Sequence, residues 1–169
     1  MAEELGYRFD SPNVVQRALQ AVGASKPGAW VFARVLPPLD TGVQRLTRQR
    51  HTVPGLLAGL PVVDLTTTGR KSGVARTTHL IAVPYLDTLA LLGTNFGQAN
   101  TPAWALNLEA DPFATLTYRE RTVSIRARLA GPEEAEAVLA RSEQYYAGYR
   151  RYQQRITGRV IRVFVLEPA

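Results

Sequence analysis

The chain has 169 residues, 46% apolar and 20% charged, a formal net charge of +6 and no cysteine. That balance fits one globular domain with a real core and excludes wholesale disorder, disulfides and thiolate chemistry, while the positive charge favours anionic partners: a phosphorylated cofactor, nucleic acid or an acidic membrane surface. His51 and His79 are the two histidines and neither has carboxylates at a ligand spacing, so no metal site is expected.

The start, Met1-Ala2-Glu3-Glu4, is acidic and leads into no apolar core, so it does not read as a secretory signal. No apolar run approaches the ~20 residues of a membrane-spanning helix, and the cytoplasm is the expected location. Residues 1–60 read as a helical segment ahead of a β-rich domain at 61–169. Ser11-Pro12 supplies an N-cap and a first-position proline for a helix over 13–22, which Gly23 and Ser25-Lys26-Pro27-Gly28 break. An apolar run at 29–36 carries Trp30 and Phe32 and stops at Pro37-Pro38. A second helix is predicted over 41–50, with Arg45, Arg48 and Arg50. Two readings stand for this segment: contact with a membrane interface, or packing of its apolar side onto the domain.

From Val62 the pattern turns to β. Runs at 62–68, 74–83 and 89–93 are separated by turn residues, and Leu86-Asp87-Thr88 makes an antiparallel corner. A helix follows with Thr101 as N-cap and Pro102 at its first position, placing Trp104 and Leu108 on one face; Asp111-Pro112 closes it. Strands at 113–118 and 121–129 meet across Arg119-Glu120. In the second, Val123, Ile125, Ala127 and Leu129 alternate with Thr122, Ser124, Arg126 and Arg128. Gly131-Pro132-Glu133-Glu134 opens another helix, with Ala135, Val138, Leu139 and Tyr146 as its buried stripe. A final strand is predicted over 159–166. The class is mainly β with flanking helices (α+β), and about six antiparallel strands with short links close most economically into a small barrel. Links this short disfavour a doubly wound parallel sheet, because they cannot make a crossover.

Three segments carry candidate chemistry. In Gly69-Arg70-Lys71-Ser72-Gly73 both glycines can take positive φ and let amides converge. Arg70, Lys71 and Arg76 add charge, and Thr66, Thr67, Thr68, Ser72, Thr77 and Thr78 add hydroxyls. This is an anion site or a solvated hairpin tip. It is no Walker or Rossmann loop, because it lacks their spacing and a strand follows it. The second segment runs from Gly93 through Thr94-Asn95-Phe96-Gly97 to Leu108, a polar loop ahead of a helix N-terminus. Within it Trp104 either stacks on a flat ring or fills the core, and Asn107 either meets a ligand or ties helix to strand. In the third, Tyr145, Tyr149 and Tyr152 share a helical face beside Arg150, Arg151 and Arg155, with Tyr146 close by. Such rings suit an aromatic substrate, single-stranded nucleic acid or simple burial. No nucleophile, triad or carboxylate pair stands out, so any reaction must rest on a cofactor.

Together these segments resemble the deazaflavin-dependent nitroreductase family, the coenzyme F-420-dependent quinone and nitro reductases of actinobacteria. The resemblance rests on the run Thr66 to Thr78, the Gly93 to Leu108 loop, Tyr149 with Tyr152-Gln153, and the ending Val165-Leu166-Glu167-Pro168. It covers most of the chain from Leu60 and only loosely the first sixty residues, which vary in that family. It implies a split β-barrel like that of FMN-binding pyridoxamine oxidases. It implies that Arg70, Lys71 and Arg76, with the Thr68 and Ser72 hydroxyls beside them, meet the phosphate and polyglutamyl tail of the coenzyme. Thr77 and Thr78 would follow its linker, and Thr94, Asn95, Phe96 and Gly97 would face the deazaflavin ring, with Trp104 supporting that wall. Tyr149 and Tyr152 would line the substrate side and donate the hydrogen bond or proton, Tyr146 being the lesser candidate. The implied activity is hydride transfer to a quinone, nitroaromatic or activated alkene (an enone), in a monomer or homodimer. FMN as cofactor, a deazaflavin carrier and a basic nucleic-acid-binding barrel are the alternatives. Asn95-Phe96-Gly97 departs from members with a lysine and two glycines there, and His79 stands where proline is common; it is either a pocket residue or a strand residue facing solvent.

Overall fold

Strand β1 (Val62–Thr68) buries every second residue, Val63, Leu65 and Thr67, as an alternating run does when one face of a sheet meets a core. It lies in a seven-stranded antiparallel sheet in a computed structural model, which describes residues 2–8, 61–146 and 148–169. The remaining strands are β2 (Ala75–Ile81), β3 (Val83–Tyr85), β4 (Thr88–Leu92), β5 (Phe113–Tyr118), β6 (Arg121–Leu129) and β7 (Val163–Pro168). The helices are α1 (Ala2–Leu5), α2 (Ala103–Ala110), α3 (Pro132–Tyr145) and α4 (Gly148–Arg155). The helices expected at 13–22 and 41–50, and the apolar run at 29–36, lie outside the described residues.

The strand order is β2-β1-β5-β6-β7-β4-β3, so the two edge strands are neighbours in sequence with Ala82 between them. A sheet whose opposite edges are joined by one residue has to curl, and Ala82 is fully buried at that corner. This is the difference from the expected strand at 74–83: the run breaks at Ala82 and yields seven strands in place of about six. Carbonyls around the corner take side-chain donors. The Tyr7 hydroxyl donates to Ala82 at 2.6 Å, Tyr149 to Ile81 at 3.4 Å, and Arg141 Nε to Pro84 at 2.9 Å.

Two apolar clusters use opposite faces of β4 and β7. Leu89, Leu91, Phe164 and Leu166 join Val63, Leu65, Leu116, Ile125, Trp104 and Leu108 in the main core. Ala90, Leu92 and Val163 lie under the helices with Val138, Tyr146, Tyr149 and Tyr152. Each fully buried Leu or Phe contributes about 1.5–3 kcal/mol, so the strand alternation accounts for most of the packing. Leu5 and Tyr7 also enter the main core, a role that the acidic start of the chain had hidden.

Several boundaries differ from expectation for local reasons. Helix α2 starts at Ala103 with Pro102 as its extended cap, and Thr101 makes no cap. Strand β7 begins at Val163, because Gly158 takes φ +76 and turns the chain before it. Helix α3 starts on Gly131 and Pro132 as expected, but it ends at Tyr145, where Tyr146 adopts φ −151. Tyr145 therefore does not share one helix with Tyr149 and Tyr152.

Candidate functional site

The basic turn is tied up by its own backbone. Gly69 N–H donates to Val74 O at 2.9 Å, and the amides of Ser72 and Gly73 donate to Gly69 O at 3.0 and 2.7 Å. The Val74 amide meets Ser72 Oγ at 3.4 Å, and the Arg70 amide meets Asn107 Oδ1 at 3.1 Å. The expectation that converging amides would cradle an anion is not met, because these five already have acceptors. Nor does Gly69 take positive φ; among the turn's glycines only Gly73 does, at +67. Gly69 is needed for space instead, since a Cβ there would lie 2.8 Å from Ser72 Oγ and 3.0 Å from Val74 O.

The turn therefore presents side-chain charge. Arg70, Lys71 and Arg76 are exposed, and among the described residues no carboxylate forms an ion pair with any of them. Thr68 and Ser72 are exposed beside them. Residues facing each other across an antiparallel pair point to the same side. Arg76 opposite Thr67 and Thr78 opposite Leu65 thus lie on the core-facing side of β2, whereas Thr77 and His79 lie on the other. Thr77 Oγ1 sits 2.8 Å from Thr66 Oγ1, so Thr77 and Thr78 do not line one path. His79 Nδ1 is 2.6 Å from Asp64 Oδ1 directly across the strands, which makes it half of a cross-strand pair.

Asn107 on α2, 6% exposed, anchors this turn: its Oδ1 accepts from Arg70 and its Nδ2 donates to Thr67 Oγ1 at 3.0 Å. Of the two readings of Asn107, the tie from helix to strand is the one observed. Trp104, one turn earlier on α2, is 5% exposed, with its ring 5.9 Å from Phe164 in the main core. It backs the structure from inside and presents no face to solvent.

The loop after β4 holds three consecutive residues at positive φ: Asn95 at 48, Phe96 at 54 and Gly97 at 78. For Phe96 this conformation costs roughly 1–2 kcal/mol, while Asn95 is of the type that tolerates it more readily. Gly97 is required twice over, since a Cβ would also sit 3.3 Å from Arg155 Cβ and Cδ. Thr94 is buried, while Phe96 stays 39% exposed with its ring 6.2 Å from Tyr152, edge-on. Asn95 Nδ2 donates to Asn100 O at 3.0 Å.

Arg159 closes this loop, and sequence reasoning missed it by placing it in a strand. Its Nη1 donates to Gly93 O at 2.9 Å, its Nη2 to Thr94 O and Gln98 O at 3.0 Å each, and its Nε to Gln98 O at 3.3 Å. The sequence cue was Gly158 just before it, which marks a turn where a strand was assumed.

Tyr146, Tyr149 and Tyr152 pack as one group. Ring centroids lie 5.4 Å apart for Tyr146 and Tyr149 and 6.0 Å for Tyr146 and Tyr152, and the hydroxyls of Tyr146 and Tyr152 are 3.1 Å apart. Burial pushes all three phenols above their ordinary pKa, so each stays protonated at neutral pH. Tyr149 and Tyr152 are 6% and 5% exposed and offer no open platform for stacking bases, which argues against the nucleic-acid alternative. The structure thus joins the Asn95–Gly97 turn to α4 through Phe96, Tyr152 and Arg155, and joins the basic turn to α2 through Asn107.

A family model for F420H(2)-dependent quinone reductase matches residues 40–168. Among solved structures, an F420-H2 dependent reductase (FDR-A) is 31% identical with a TM-score of 0.57, over 63% of this chain and 94% of that one. A chain solved as a domain-swapped dimer is 27% identical with a TM-score of 0.60, over 84% of this chain and 100% of that one. A protein of unknown function from Agrobacterium tumefaciens shares the fold at 21% identity and a TM-score of 0.53, over 64% of this chain and 48% of that one.

Proposed function

The chain belongs to the F420H(2)-dependent quinone reductase family, and from that premise we propose that it reduces a quinone at the expense of reduced coenzyme F-420, with nitroaromatics and activated alkenes as further acceptors. An F-420-dependent oxidoreductase with a split-barrel fold is what the family match and the FDR-A likeness establish. They support F-420 as the cofactor and lend no support to FMN. When bound, the reduced deazaflavin supplies a hydride equivalent.

The chain's own residues divide the remaining work. The residues present fit an anionic coenzyme on one observation above all: Arg70, Lys71 and Arg76 are exposed cations around a turn in which the amides of Gly69, Arg70, Ser72, Gly73 and Val74 already have acceptors. In this reading they hold the phosphate and polyglutamyl tail, with Thr68, Ser72 and Thr78 as neighbouring donors. Thr77 faces the other side of β2 and contributes less. Thr94, Asn95, Phe96 and Gly97 form the wall for the flat ring, with Trp104 behind it. Tyr152, which touches the half-exposed Phe96, is the better candidate to hydrogen-bond the acceptor or give it a proton. Tyr149, whose hydroxyl turns to Ile81 O, orients the group. A phenol held protonated by burial acts as a donor and not as a base.

The same reading keeps residues 1–60 as a variable helical segment before the domain at 61–169. It also places the protein in the cytoplasm and allows a homodimer, as in the domain-swapped relative. No helix among the described residues is long and apolar enough to cross a membrane. The deciding experiment is a titration with F-420, followed by turnover of the reduced coenzyme with menadione. Replacing Arg70 and Lys71 by alanine should abolish measurable binding, and added salt should weaken the wild type, because exposed charges are screened within about 10 Å at 0.1 M. No binding and no turnover by the wild type would overturn the proposal.

A further inference from the structure

We propose that Arg159 is a positioning residue for the reduction: its guanidinium holds the loop 93–98 in its left-handed form and thereby sets the wall against which the coenzyme ring is placed. The inference rests on the function proposed above, but its structural half stands on the loop itself. Asn95 and Phe96 both sit at φ near 50, a conformation that side-chain-bearing residues leave unless something holds them. Apart from Arg159, Thr94 N–H donates to Leu92 O at 2.9 Å, Gly97 N–H to Thr94 O at 2.9 Å, Gln98 N–H to Asn95 O at 3.0 Å and Asn95 Nδ2 to Asn100 O at 3.0 Å, all short-range, while Gly93 N–H reaches Arg162 O at 2.8 Å. Arg159 adds four contacts to three carbonyls on both sides of the strained pair, Gly93 and Thr94 before it and Gln98 after it. A guanidinium has five N–H donors in a fixed plane, so it can bridge carbonyls that flank a turn. A lysine ammonium is a point donor on a flexible stem and cannot reproduce that span.

The clamp is also well placed to couple the loop to the tyrosines. Arg159 follows α4 in sequence, and the same loop packs through Phe96 and Gly97 on Tyr152 and Arg155 of that helix. Loosening the clamp frees one side of the ring wall while the basic turn, held by Asn107 on α2, keeps its place. The expected signature is therefore a weaker hold on the coenzyme with its charged tail still engaged.

The test compares wild type with Arg159→Lys and Arg159→Ala. Hydrogen exchange at the Gly97 and Gln98 amides should rise by about tenfold or more in both variants, with β1 and β5 amides unchanged, as expected for local and not global opening. The KM for reduced coenzyme should rise by about tenfold while kcat changes less, and the salt dependence of binding should match wild type. Unchanged exchange at Gly97 and Gln98 would overturn the proposal. So would exchange raised equally throughout the sheet, or full restoration of KM by lysine. If the wild type binds no coenzyme, the functional reading fails, while the exchange data still decide whether Arg159 holds the loop.

Discussion

Asn107 Oδ1 accepts the backbone amide of Arg70 at 3.1 Å, so a buried side chain on α2 fixes the basic turn at the far end of β1. The Nδ2 of the same Asn107 side chain donates to Thr67 Oγ1, and both bonds are lost in Asn107→Ala. Leaving a buried donor or acceptor unpaired costs about 1–3 kcal/mol, and thermal or urea unfolding should show a loss of that size. Coenzyme affinity should fall with it, since Arg70 would no longer be held in place. Asn107→Asp keeps the acceptor for Arg70 and should retain more of the affinity than alanine does. Equal affinity in alanine variant and wild type would show that the turn holds its shape without α2.

The two tyrosines should separate on mutation to phenylalanine. Tyr149 sends its hydroxyl to Ile81 O at a long 3.4 Å, so Tyr149→Phe should cost no more than about 1 kcal/mol of stability and leave turnover near wild type. Tyr152 is buried but touches the 39%-exposed Phe96, and Tyr152→Phe should lower kcat by about 100-fold, in the range for a lost proton donor. Steady-state kinetics with menadione measures both. A larger fall for Tyr149→Phe than for Tyr152→Phe would reverse the assignment.

Strand periodicity carried most of the fold, because β1, β5 and β6 each bury alternate residues on one continuous core. It could not reveal the corner at Ala82, since alanine is compatible with a straight strand and what bends the chain is the closure of the whole sheet. The cations of the basic turn were legible as charges, whereas the state of its amides was not: their acceptors include Asn107, 37 positions away. Spacing places Tyr145, Tyr149 and Tyr152 on one helical face, but the helix ends at Tyr145, and it is Tyr146, just past that end, that packs with Tyr149 and Tyr152. Arg159 was invisible for the same reason as Asn107. Its partners are carbonyls about sixty positions earlier, and backbone acceptors have no sequence mark.

Substitutions at Phe96 and Gly97 should differ in cost. Phe96→Gly relieves the residue at φ 54, a gain of about 1–2 kcal/mol that offsets the lost ring contact with Tyr152, about 0.5–1.5 kcal/mol. Its stability should be near wild type, and kcat/KM should shift toward bulkier quinones as the ring is removed from the wall. Gly97→Ala meets both φ +78 and Arg155 at 3.3 Å, and should lose about 1–3 kcal/mol with weaker coenzyme binding. Melting curves and a quinone series read out both. A Gly97→Ala variant as stable as Phe96→Gly would contradict the conformation described for this loop.

High pH tests the buried phenols as a set. Burial raises Tyr7, Tyr146, Tyr149 and Tyr152 above their ordinary value of 10.0, while in the unfolded chain each ionises near that value. A group whose folded pKa is raised stabilises the fold fully below its unfolded pKa and loses that contribution as pH climbs toward the folded one. Stability should thus be flat with respect to these groups up to about pH 9 and then fall, by about 1.4 kcal/mol per pH unit for each tyrosine that ionises only on unfolding. Tyrosinate absorbance followed beside circular dichroism should show at least four tyrosines appearing together with the loss of structure. Complete ionisation of all seven tyrosines with the sheet intact would show that water reaches the Tyr146, Tyr149 and Tyr152 group freely. In that case Tyr152 could no longer be assigned as a donor kept protonated by its surroundings.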